Sequence, residues 1–224
     1  MQLPGLITVS PDDGATLENL ANMMGESFLE EMWFDTWLAA LDDLGADRKR
    51  KLAIMQAYFL DELSVLAQHG AVYALEDLTA ATGGYLASEL GQAGQEHLET
   101  MRYERMEALL TEEEGRLLDE REQAMYAISD FDWHRAWPRE GDDYIYFSSW
   151  AADKNARGTH ALSRLLAPIL AFADANGLDC YLECYADRLQ SMYEHFGFRV
   201  VRELHDGNFP VYERCMVRAA KTSF

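Results

Sequence analysis

Cysteine is scarce in this chain, with three residues (Cys180, Cys184 and Cys215) among 224. Three thiols cannot form a disulfide framework in a chain this long, and their spacing fits no zinc pattern. They read as reduced and mostly buried. Long apolar runs are missing as well: none approaches the ~18 residues of a membrane span. The opening Met1-Gln2-Leu3-Pro4-Gly5-Leu6 lacks the basic start and apolar core of an export signal. These absences predict a cytoplasmic protein with no membrane partner. Positive charge is the third shortage, since 19 Lys and Arg face 39 Asp and Glu for a net charge of −20. Nucleic-acid binding through phosphates needs a basic footprint that displaces counterions, so no nucleic-acid partner is expected.

What is present is ordinary globular composition, 49% hydrophobic and 26% charged. The length suits one large domain or one domain with an insertion. The acidity is confined to one part of the chain. Residues 1–143 hold ten Lys/Arg and thirty Asp/Glu, whereas residues 144–224 hold nine of each. Such an excess suits a cationic substrate, and acidic helix faces also keep a protein soluble.

Along the chain, Leu6-Ile7-Thr8-Val9 reads as a strand, followed by a helix through Leu17, Leu20, Ala21 and Met24. Helical spacing continues from Ser27 to Leu44, where Trp33, Phe34 and Trp37 are either core or the wall of a ligand pocket. Arg48-Lys49-Arg50-Lys51 opens an amphipathic helix carrying Leu52, Met55, Phe59, Leu63 and Leu66. A hairpin is expected from Ala71–Leu75 and Leu78–Ala87, with Gly83-Gly84 marking a bulge or a close backbone approach. Residues 91–128 lack proline and read as a helix pair broken near Leu110-Thr111, where Thr111-x-x-Glu114 resembles a capping box. An aromatic connector spans Asp130 to Asp143. A strand (Tyr144–Ala152), a polar loop, and a long helix (Thr159–Asn176) with a kink expected at Pro168 come next. A strand (Leu178–Tyr185), a helix (Asp187–Phe196) and a final strand pair complete the chain.

A strand entering a glycine-containing loop and then a helix N-terminus presents unpaired N–H groups and the positive end of the helix dipole to an anion. Residues 150–163 have this order. Some 35 residues beyond the loop stands Tyr193-Glu194-His195-Phe196-Gly197-Phe198. Together, Ala152-Asp153-Lys154-Asn155-Ala156-Arg157-Gly158-Thr159-His160-Ala161-Leu162-Ser163 and this second motif resemble the GNAT superfamily of acetyl-CoA-dependent N-acetyltransferases. The loop aligns without gaps to the family's Arg-Gly-x-Gly-x-Gly run. His160 and Leu162 stand where its second and third glycines do, Lys154 replaces its proline, and Asp187 replaces an asparagine.

The resemblance implies a mixed α+β, GNAT-like acyl-CoA N-acyltransferase fold, with a mostly antiparallel sheet of about six or seven strands flanked by helices. It covers residues 144–218 well, as the CoA-binding core of one domain spanning 1–224. Residues 91–143 then form a helical insertion that either shapes the acceptor cleft or makes a homodimer contact. By the same resemblance, Trp150, Ala151 and Ala152 offer backbone groups to pantetheine, and Arg157, Gly158, Thr159, His160, Ala161 and Leu162 supply loop amides to the pyrophosphate of acetyl-CoA. The implied reaction is attack of a primary amine, from a small cationic substrate, on the acetyl thioester. Tyr193, a phenol neutral at pH 7, would protonate the leaving thiolate. Glu183 is the first candidate for the base, followed by Glu30 or Glu31, with water as a relay. A second reading keeps the GNAT fold without turnover, as a protein that binds acyl-CoA or another ligand or serves as an interaction module.

Overall fold

Short apolar runs and amphipathic stretches alternate along the sequence, and in the computed structural model they become strands of one sheet and helices packed on its faces. The structure describes residues 1–130, 132–139, 141, 143–156 and 158–221. Strand β1 (Leu6–Thr8) leads to helix α1 (Gly14–Phe28), whose first turn is capped by the Asp13 carboxylate accepting from the Thr16 N–H at 3.1 Å. The stretch from Ser27 to Leu44, expected as one helix, is instead interrupted at Glu31. This residue adopts an extended backbone and caps α2 (Met32–Leu38) through its own side chain, and a 3₁₀ turn over Ala39–Leu44 follows. Asp47 caps α3 (Arg48–Gln68).

Strands β2 (Val72–Leu75) and β3 (Ala80–Leu86) form the expected hairpin. Between β3 and the next strand come α4 (Ala87–Glu99), kinked at Gly91, then α5 (Glu104–Leu109), α6 (Glu112–Met125) and the short α7 (Trp133–Ala136). The break at residues 110–111 is as expected, and the capping box of Thr111 and Glu114 is formed. Three helices replace the expected pair because the chain also breaks before α5, whose first N–H groups, from Arg105 and Met106, donate to Asp61 on α3. Then follow β4 (Tyr144–Ala152), α8 (Ala161–Asn176), β5 (Asp179–Cys184), α9 (Asp187–His195), β6 (Arg199–Leu204) and β7 (Glu213–Arg218). Helix α8 is continuous through Pro168. No helix among the described residues is long and apolar enough to cross a membrane.

The strands lie in the order β1-β2-β3-β4-β5-β7-β6, and β4–β5 is the one parallel pair among them. One apolar cluster joins α1 and α3 to β2, through residues such as Leu20, Phe59, Leu63 and Val72. A second joins α8 to β4 and β5, through Ile145, Leu166, Ile169 and Cys180. All three cysteines are free and buried, as expected.

Two irregularities in the sheet define the site. The first is the β4–β5 pairing, which holds only for Tyr144↔Asp179, Ile145↔Cys180 and Tyr146↔Tyr181. Beyond these rungs β4 keeps its partner β3 and β5 keeps β7, and the two strands part. The second is a register shift opposite Gly83/Gly84, where Ser149 pairs with Gly83 and Phe147 with Gly84, leaving Ser148 as the bulged residue. Gly83 is needed there, because a Cβ would lie 2.7 Å from Ser148 Oγ and 2.7 Å from Leu66 Cδ1.

Candidate active site

A cavity of about 1060 Å³ opens where β4 and β5 part. One end is walled by the N-terminus of α8 and the loop before it. The other is walled by α1, α2, α3 and the segment between β3 and β4.

At the loop end, Gly158 (φ +83°) and His160 (φ +56°) are left-handed, and His160 caps α8 without a side-chain hydrogen bond. Leu162, by contrast, lies inside the helix. A histidine in the left-handed region carries a steric cost that glycine avoids. His160 therefore holds a backbone conformation that glycine adopts freely. The first N–H groups of α8 have no partner within the helix. Gly158, His160, Ala161 and Leu162 line the cavity together with Trp150, Ala151 and Ala152. Thr159 does not: its N–H and its hydroxyl both donate to the Ala156 carbonyl, at 3.1 and 2.7 Å. Arg157 lies outside the described residues. Lys154 pairs with Glu26 at 3.4 Å and Arg164 with Asp77 at 3.0 Å.

Where the strands part, the buried Tyr193 ring packs edge-on to Trp150, with centroids 5.4 Å apart, and against Phe198. Burial pushes its phenol well above its usual value, so it holds its proton, and the fields of Cys184 and Glu31 act in the same direction. Glu183 on β5 reaches the same cavity. Its two oxygens accept from Trp133 Nε1 and from Tyr146 OH, the latter at 2.7 Å, and neither Arg188 nor Arg199 is its partner. Burial pushes Glu183 up to about 8.

The structure also brings Glu31 here. Glu31 Oε2 accepts the Trp33 N–H at 2.9 Å, whereas Oε1 is buried and takes no partner among the described residues. Burial pushes this carboxyl up to about 7 against the pull of the α2 backbone amides. Glu30, the other candidate, is exposed on the cavity rim. Trp33 and Phe34 line the cavity, while Trp37 turns away and donates its indole N–H to the Leu118 carbonyl at 3.2 Å.

Glu62 is the functional candidate that the sequence reading missed. It is only 9% exposed, and its Oε1 accepts from Ser148 Oγ at 3.0 Å and Ser149 Oγ at 3.2 Å, both on the β4 bulge. Burial raises its carboxyl above the usual range. A signal was available: Met55, Phe59, Glu62 and Leu66 share one helical stripe, so a carboxylate stands on the core-facing side of α3. Residues of the segment between β3 and β4, among them Leu98, Tyr103, Glu122 and His134, complete the wall.

No family model and no curated protein sequence matches the chain. Solved structures do match its fold. An acetyltransferase from Corynebacterium glutamicum, named as a histone acetyltransferase and related acetyltransferase, superposes with a TM-score of 0.58 at 16% identity over 99% of both chains. The polyamine N-acetyltransferase of Drosophila melanogaster gives 0.51 at 13% identity, covering 96% of this chain and 98% of its own. A mosquito arylalkylamine N-acetyltransferase-like protein gives 0.52 at 12%, with the same coverage. The fold is that of the GNAT acetyltransferases, as the motif resemblance implied, and its sheet has the expected mostly antiparallel form with seven strands.

Proposed function

We propose that the protein transfers an acetyl group from acetyl-CoA to a primary amine of a small cationic substrate. The observation that carries this reading is the cavity itself. It joins a helix N-terminus suited to a diphosphate, a buried phenol, and a carboxylate with an open oxygen along the gap between β4 and β5. The names of the structural neighbours, which include polyamine and arylalkylamine N-acetyltransferases, agree with the reaction class. In this reading residues 1–224 act as one unit, with the donor held by residues 144–218 and the acceptor walled partly by residues 91–143.

The chain's own groups account for the proton movements. The α8 amides and the loop before it hold the pyrophosphate, and the edge of β4 from Trp150 to Ala152 lies beside pantetheine. An alkylammonium with a pKa near 10 must lose a proton before its nitrogen attacks the thioester carbon. Glu31 is the favoured acceptor, because Oε1 is free while both oxygens of Glu183 already receive donors. The C–N bond forms and the C–S bond breaks. Tyr193 then donates its proton to the departing sulfur and is reprotonated by the hydrogen shed from nitrogen, leaving an amide and free CoA.

The test is calorimetric titration with acetyl-CoA, followed by the Tyr193→Phe variant. Acetyl-CoA affinity should be retained in the variant while turnover falls about 10²–10⁴-fold, the range of general acid catalysis. A folded protein that binds no acetyl-CoA would refute the proposal.

A further inference from the structure

Glu62 has more capacity than its structural contacts use. Both serine hydroxyls donate to Oε1, and Oε2 takes no partner among the described residues although the side chain is only 9% exposed and lines the cavity. No lysine, arginine or histidine among them forms an ion pair with it or with Glu31. A buried carboxylate without a counter-ion is costly, and among the described residues this cavity contains three, Glu31, Glu62 and Glu183, on separate elements; both oxygens of Glu183 are taken by Trp133 and Tyr146.

The surroundings of Glu62 differ from those of Glu31. Tyr58 precedes Glu62 by four residues on α3, so the two share a face. The Tyr58 ring stacks on Tyr103 at 4.5 Å with an interplanar angle of 11°, and their hydroxyls lie 3.2 Å apart. Phe34 meets Tyr58 edge-on at 5.4 Å. Glu122 on α6, half-buried and accepting from Tyr126 OH at 3.1 Å, acts electrostatically on both tyrosines, as does Glu62. The cavity therefore has a second acidic, aromatic centre, carried by α3 and α6 and by Tyr103 rather than by the start of α2. Aromatic faces beside carboxylates suit an ammonium group, which gains from both.

We propose that Glu62 and Glu122, with the stacked rings of Tyr58 and Tyr103, form a subsite for a second cationic centre, and that the acceptor is a linear diamine. One nitrogen faces Glu31 and Tyr193 and is acetylated, while the other remains an ammonium against Glu62. This rests on the acetyl-transfer reading above. If Glu62 served only to pin the β4 bulge, glutamine would keep its Oε1 contacts and amine selectivity would not change.

The experiment compares acetylation of 1,4-diaminobutane with that of n-pentylamine, which has the same number of heavy atoms and one charge fewer. A short series of longer and shorter diamines sets the optimum length. The wild-type protein should favour the best diamine by at least tenfold in kcat/KM. Glu62→Gln should cut that ratio at least tenfold, chiefly through the diamine KM, with acetyl-CoA affinity retained as proof of folding. Glu122→Gln carries the same expectation in the same direction and stands in if Glu62→Gln does not fold. A wild-type ratio near one, or a ratio unchanged in the folded variants, would overturn the subsite while leaving acetyl transfer intact. Calorimetric binding of the diamine that depends on Glu62, with no turnover of any amine, would instead support the subsite and overturn the transfer reading.

Discussion

Replacing Glu31 by glutamine separates catalysis from stability at a single side chain. The amide oxygen still accepts the Trp33 N–H that caps α2, so the helix start is preserved, but the group no longer takes a proton. A general base contributes about 10²–10⁴-fold to rate, roughly 2.7–5.4 kcal/mol at 1.36 kcal/mol per tenfold. Loss of kcat in that range is expected. The base must be ionised to act, so wild-type kcat should rise with pH through about 7, the value set by burial of Glu31, and this limb should vanish in Glu31→Gln. The stability effect has the opposite sign. A carboxyl whose folded pKa lies above its unfolded value of 4.5 holds its proton more tightly when folded. Folding stability therefore falls as pH rises from 4.5 to about 7 and stays at the lower level above it. Glutamine removes that penalty, so the variant should melt at a higher temperature than the wild type at pH 8. A steady-state pH profile and a thermal melt at pH 5 and pH 8 test both halves. The reasoning is refuted if the variant keeps its kcat and the limb near 7 persists. A limb that is lost in Glu183→Gln instead would make Glu183 the base.

Two further substitutions probe the scaffold. His160→Gly frees a left-handed residue of its Cβ clash, worth about 1 kcal/mol, and should raise the melting temperature by about 2–4 °C for a chain of this size. An unchanged or lower melting temperature would mean that the imidazole makes a compensating contact. Gly83→Ala drives a Cβ against Leu66 and both serines of the bulge, and should cost roughly 1–3 kcal/mol as an overpacked core position, measured by urea titration. It should also raise the acceptor KM, because Ser148 and Ser149 hold Glu62.

The parts of the molecule legible in the sequence were those specified by neighbouring residues. The loop from Asp153 to Leu162, the Tyr193 motif, the glycine pair opposite the bulge and the Thr111–Glu114 capping box each declare themselves within a few positions. The hidden parts depend on partners remote in sequence. Apolar spacing from Ser27 to Leu44 reads as one helix, but the cap made by Glu31 divides it and its last six residues tighten into a 3₁₀ turn. Glu183 is held by Trp133 and Tyr146, 50 and 37 residues away. Glu62 interrupts an apolar stripe, which marks it as unusual, but its serine partners lie 86 and 87 residues further along.

The parting of β4 and β5 also divides the labour along the chain. The side of the cavity proposed to hold the donor is built by one continuous stretch, from β4 through α8 and β5 to α9. The side proposed for the amine is assembled from pieces on α1, α2 and α3 and the helices between β3 and β4. Under the proposed reaction, substitutions in these pieces would alter which amine is accepted without touching the stretch from β4 to α9. Inheritance would then act on the two sides at different rates, with acceptor preference drifting among descendants while the chemistry proposed at the gap is handed down unchanged.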